Sequence, residues 1–157
     1  MLERLRRILP GLWAGVLLGI AAIAAPSLFA TLERADAARV VGRIFGQEAW
    51  LSLVLAVLLL AIERGRARSA SEAGRGSVIN TELLLVLGTV FCTVAGYFAL
   101  QPLMPAARAG QGPLSFGQLH LLSVVFFVLK GVLLGVLAWR AAHTADLRPA
   151  PGRSQAA

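Results

Sequence analysis

Four long apolar runs, separated by clusters of charge, set the pattern of this chain. The first covers residues 8–32 and carries no charged side chain. The second, 44–62, is interrupted only by Glu48. The third, 83–104, closes on Pro102 and nearby Pro105, and the fourth, 116–139, contains His120 and Lys130. A helix rises about 1.5 Å per residue and a hydrocarbon core is about 30 Å thick, so each run suits a transmembrane helix. The runs lack strand alternation, and lipid cannot satisfy an open sheet edge. The expected fold is all-α, an integral-membrane four-helix bundle occupying residues 1–143 as one domain.

The connections differ in character. Residues 33–47 read as a short amphipathic helix, with Ala37, Val40, Val41, Ile44 and Phe45 opposite Asp36, Arg39 and Arg43. It either lies in the membrane interface or extends the second span. Residues 63–77, rich in Arg, Ser, Gly and Glu, read as a solvated loop, and 106–115 as a tight turn. The tail, 144–157, is polar and is expected to be disordered. The N-terminus resembles a signal sequence, with Arg4, Arg6 and Arg7 before an apolar stretch and Ala22-Ile23-Ala24 as a cleavage-like site. The apolar run continues past that point to Leu32, so an uncleaved first span is expected.

Composition agrees with the pattern. The residues are 57% hydrophobic and 15% charged, with mean hydropathy +0.74. Soluble domains sit near 45–50% apolar. The net charge of +7 comes from arginines flanking the runs, so no nucleic-acid partner is expected; the partner is the lipid bilayer. Ten arginines fall on the side of the termini and the 63–77 connection, and four (Arg34, Arg39, Arg43 and Arg108) on the other. The positive-inside rule then places both termini in the cytoplasm. Heavy Ala, Leu, Arg and Gly usage hints at a bacterial source, hence a multi-pass inner-membrane protein. Cys92 is the single cysteine, and with two histidines no metal site or cofactor is expected.

On helical wheels, Gly11, Gly15, Gly19, Ala22 and Pro26 fall within an arc of roughly 80°. Gly88, Cys92 and Gly96 form a similar row on the third run. Such seams let helix backbones approach closely, within one molecule or between copies. On the fourth run Gly117, His120, Ser123, Lys130, Gly131 and Gly135 share about 140° of arc, while the remainder is Leu, Val and Phe. His120 and Lys130 should therefore point inward. A charge at bilayer centre costs about 2.5–3.5 kcal/mol on insertion scales, so Lys130 needs a partner. By depth it reaches Tyr97 and the Ala22 carbonyl, which Pro26 leaves without its N–H partner. Glu48 and His120 form a second expected pair, with Gln101 near the same depth. Glu48, Tyr97, Gln101, His120, Ser123 and Lys130 are thus the candidate intramembrane polar site.

No hydrolase, metalloprotease, phosphate-loop or haem-attachment motif occurs, so no enzymatic activity is expected. Several segments carry a resemblance. They are Leu12-Trp13-Ala14-Gly15 through Ala25-Pro26-Ser27-Leu28-Phe29, then Gly42-Arg43-Ile44-Phe45, Glu48-Ala49-Trp50-Leu51, Gln101-Pro102-Leu103-Met104, and Phe116-Gly117-Gln118-Leu119-His120-Leu121-Leu122-Ser123. In this order they resemble the bacterial family labelled domain of unknown function 4149, related to the eukaryotic transmembrane protein 205-like group. Related sequences usually show His-Gly before the Ser, where this chain has His120-Leu121; Lys130 is also unusual. The resemblance implies a four-span membrane protein without an established activity. Two function classes follow. One is a non-enzymatic accessory or structural bundle, alone, as a homo-oligomer or with a membrane partner. The other is a small oligomeric transporter or proton-coupled permease using Glu48, His120 and Lys130. A haem or quinone protein ranks third, because His143 lies at the membrane face opposite His120.

Overall fold

The computed structural model describes residues 1–74, 77 and 79–146. Four helices in it are long and apolar enough to cross a membrane. They are α1 (Leu2–Thr31), α2 (Arg34–Glu72), α3 (Thr81–Arg108) and α4 (Phe116–Asp146). Each packs on its neighbours in the order α1–α2–α3–α4, and α4 closes the ring on α1. The protein is a multi-pass membrane bundle. One end gathers the start of α1, the end of α2, the start of α3 and the end of α4. We call it the arginine-rich end and the opposite one the far end.

Local chemistry sets where the helices bend and stop. Pro26 has no N–H to return to Ala22, and its ring crowds that carbonyl. α1 answers with a widened π turn over Ile20–Ala24, in which the Ala25 N–H bonds back to Ile20. α3 widens similarly over Val94–Ala99 before Pro102. Asn80 caps α3 by accepting the Leu83 N–H at 2.8 Å. α4 opens on a capping box: Ser115 Oγ accepts the Gln118 N–H at 3.3 Å and Gln118 Oε1 accepts the Ser115 N–H at 2.9 Å. Gly110 and Gly112, with φ of 71° and 126°, carry the chain from α3 into it.

The expected 33–47 helix joins the second span, and part of one expected loop is helix too. α2 is continuous for 39 residues, so 33–47 extends the second span. The expected loop at 63–77 is helical as far as Glu72. Its charge suggested solvent, but arginine and alanine are strong helix formers. The Arg68–Glu72 pair at 3.0 Å also supports the last turns from position i to i+4. The expected 106–115 turn is shorter, because α3 runs to Arg108. Of the expected tail, α4 takes in 144–146, and 147–157 lie outside the described residues.

The main core lies toward the arginine-rich end, where Trp13, Leu17, Ala56, Leu59, Val86, Leu134 and Leu137 pack together. A smaller cluster of Leu100, Met104 and Leu119 serves the far end. The buried positions of α1 are Arg6, Pro10, Trp13 and Leu17, all before its π turn. That first part of α1 packs on both α4 and α2, while Ala25–Thr31 packs on α2.

Candidate functional site

Spacing along α2 prepares the site. Glu48 and Ser52 are one turn apart on the buried face, with Ala49 and Ala56 beside them. The alanines leave room where a larger side chain would fill the space. Lys130 approaches from α4, diagonally across the bundle, and Trp13 approaches from α1. All four residues are buried; Glu48 is 5% exposed and Lys130 3%.

Lys130 Nζ donates to Glu48 Oε1 at 2.8 Å, to Glu48 Oε2 at 2.9 Å and to Ser52 Oγ at 3.3 Å. An ammonium has three donors, and all three are used. Ser52 Oγ donates to Glu48 Oε1 and accepts the Trp13 Nε1–H at 3.0 Å. The hydroxyl therefore donates once and accepts twice, which is its full capacity. The ammonium also lies 5.3 Å from the Phe127 ring centroid, close enough for a cation–π attraction. Each polar group removed from water is thus met by a protein partner, the condition under which a buried charge pair is tolerated.

The remaining wall is furnished by α3, whose Thr89, Cys92 and Thr93 are buried. Both threonines turn their hydroxyls back onto their own helix, Thr89 to the Val86 carbonyl at 2.7 Å and Thr93 to the Thr89 carbonyl at 2.8 Å. Among the described residues, no group of three or more His, Cys, Asp or Glu side chains is placed to hold a metal.

The structure brings some sequence candidates together and separates others. Glu48 and Lys130 meet directly, whereas the expected partners of each differ. His120 is exposed on α4 and stacks on Phe116 at 5.9 Å; Arg108 covers the same Phe116 ring at 4.5 Å. Gln101, Ala22 and Pro26 are exposed. The Glu48–His120 pair and the Lys130–Ala22 contact are therefore replaced by Glu48–Lys130. Helix starts explain the difference. Glu48 lies 14 residues after Arg34, and Lys130 lies 14 after Phe116. Each is about 21 Å from the far end of its helix, so the two share a level. A second span counted from residue 44 places Glu48 too shallow, because the helix begins ten residues earlier, at Arg34.

Ser123 instead serves the π turn of α3. The Leu100 N–H bonds to Tyr97, out of the regular register, and the Gly96 carbonyl accepts the Ser123 hydroxyl at 2.9 Å. Tyr97 is half-buried and its hydroxyl lies against Gly46, where a Cβ would come within 2.7 Å of it. The glycine seams divide as well. A Cβ at Gly88 would lie 2.9 Å from Leu133, and one at Gly96 would lie 2.6 Å from Phe126, so these two glycines bring α3 and α4 together. Gly11, Gly15, Gly19, Gly131 and Gly135 face open space.

Sequence reasoning missed Trp13 and Ser52. Two signals pointed to them. A Trp inside an apolar run needs an acceptor for its N–H, and Ser52 follows Glu48 by one helical turn. The family model for domain of unknown function (DUF4149) matches residues 8–113. The chain belongs to the DUF4149 family. That match takes in Trp13, Glu48 and Ser52, while Lys130 lies beyond it on α4. Neither a curated protein nor a solved structure matches the chain.

Proposed function

We propose that this DUF4149 protein is a non-enzymatic accessory bundle of the bacterial inner membrane, with both termini in the cytoplasm. The observation that carries this reading is the closed network of Trp13, Glu48, Ser52 and Lys130. Its donors are spent on one another, which suits a fastener that fixes helix register more than a relay that must exchange protons with both sides. The exposed placement of His120 and Gln101 supports the same view, since a permease path through Glu48, His120 and Lys130 needs them joined. Open space along Gly11, Gly15 and Gly19 fits the approach of another membrane helix, from a second copy or a partner. The kinship with eukaryotic transmembrane protein 205-like chains belongs to this reading too, as the sequence resemblance implies it. Clustering of Arg6, Arg7, Arg66 and Arg140 with the termini supports the orientation.

The test is flux. Purified protein in liposomes loaded with a pH-sensitive dye should give no proton movement above empty liposomes under an imposed gradient. Saturable flux abolished by Glu48→Gln would overturn the accessory reading in favour of the permease. A C-terminal alkaline phosphatase fusion should be inactive; an active fusion reverses the orientation.

A further inference from the structure

The helical continuation of α2 past residue 62 builds a feature at the arginine-rich end. Ala61, Gly65 and Ser69 recur every fourth residue, so they line one face. Because their side chains are small, a groove of about 760 Å³ opens between that face and the start of α1. Leu2, Ala61 and Ile62 line its apolar part, and Glu3, Arg66 and Ser69 its polar part. From Ala61 to Ser69 the groove runs about 12 Å along the helix. That is enough to pass from the edge of the hydrocarbon into the headgroup layer, which adds about 5–7 Å per leaflet.

The groove's own lining holds one charge of each sign, Glu3 and Arg66, and the excess of arginine lies around it. Glu3 is shared among Arg6 at 3.2 Å, Arg7 at 3.3 Å and Arg66 at 3.4 Å. Glu63 engages Arg6 at 3.3 Å. Over residues 1–7 and 63–72 there are six arginines against three glutamates. The Arg66 side chain is 45% exposed and so can take a further acceptor.

We propose that this groove binds one anionic phospholipid, its acyl portion along Leu2, Ala61 and Ile62 and its phosphate against Arg66 and Ser69. A guanidinium matches a phosphate through paired N–H donors, and the small-residue floor admits a chain that a larger side chain would exclude. The site does not depend on which way the protein faces or on whether it conducts protons.

Native mass spectra of the full chain, released from detergent holding equal phosphatidylglycerol and phosphatidylcholine of matched acyl chains, test the proposal. The wild type should retain one phosphatidylglycerol with at least fivefold preference. Gly65→Leu fills the groove, and a Cβ there meets nothing within 4 Å; it should reduce that retention at least fivefold without lowering the melting temperature. Arg66→Gln, which keeps a good helix former, should remove the preference. Gly42→Leu, also on α2 and also open, should leave retention unchanged. Equal retention of both lipids by the wild type, undiminished phosphatidylglycerol on Gly65→Leu, or an equal loss on Gly42→Leu would each overturn the site.

Discussion

The bundle holds charge in two places, one wholly buried and the other mostly open to its surroundings. At mid-bundle one pair, Glu48–Lys130, sits with both side chains 4% exposed. At the arginine-rich end Arg7 and Arg66 hold Glu3 with side chains 31% and 45% exposed, and Arg140 holds Glu82 at 2.8 Å with its own side chain 44% exposed, while Arg6–Glu63 is as buried there as the central pair. The end has more ion pairs, yet each of its exposed ones matters less than the central pair. Near the surface, a group that loses its partner turns to water or a lipid headgroup. At the centre there is no such substitute, and the abandoned charge stays where it is. The number of ion pairs is therefore a poor guide to which ones hold the molecule together.

The strongest way to break this comparison is to remove half of the central pair. Lys130→Ala should destabilise the bundle by about 3–5 kcal/mol, since it strands the Glu48 carboxylate, as read from reversible denaturation in mixed micelles. The paired change Glu48→Leu with Lys130→Met should recover most of that loss, because well-packed apolar replacements of a buried pair are often neutral. If the double variant is as unstable as the single one, the cost lies in packing and the contrast fails. Trp13→Phe removes the N–H to Ser52 together with part of a buried ring and should cost about 2–3 kcal/mol. The smallest effect belongs to Arg140→Gln, which should cost under about 1 kcal/mol and shrink further in 1 M salt. Salt should leave the Lys130→Ala difference unchanged, which sharpens the distinction between the two regions.

Much of this arrangement was readable in advance. The four spans follow from apolar run length, and the inward aim of Glu48 and Lys130 follows from the stripes they occupy. Their pairing did not follow. Apolar run length locates where a helix meets lipid, but depth within the bundle is counted from where the helix begins, and α2 begins at Arg34. The 63–77 segment shows the converse. Its charges mark exposure, which was correct for Arg64, Arg66 and Arg68, but exposure does not decide between loop and helix. His120 misled because it shares an arc with Lys130 while sitting only four residues into α4, where neighbours no longer enclose that arc. The division of the glycines was also beyond the wheel. A wheel finds a row of small residues but not which helix, if any, fills it.

The uninterrupted length of α2 has a mechanical consequence. At about 1.5 Å per residue it is a rod of about 58 Å, fastened at Glu48 about 21 Å from one tip and about 36 Å from the other. It is thus a lever with unequal arms. A tilt of about 5° around that fulcrum displaces the Arg34 tip by about 1.8 Å and the Glu72 tip by about 3.1 Å in the opposite sense. On these arms a displacement of the Arg34 tip reaches the Glu72 tip enlarged, and one of the Glu72 tip reaches the Arg34 tip reduced.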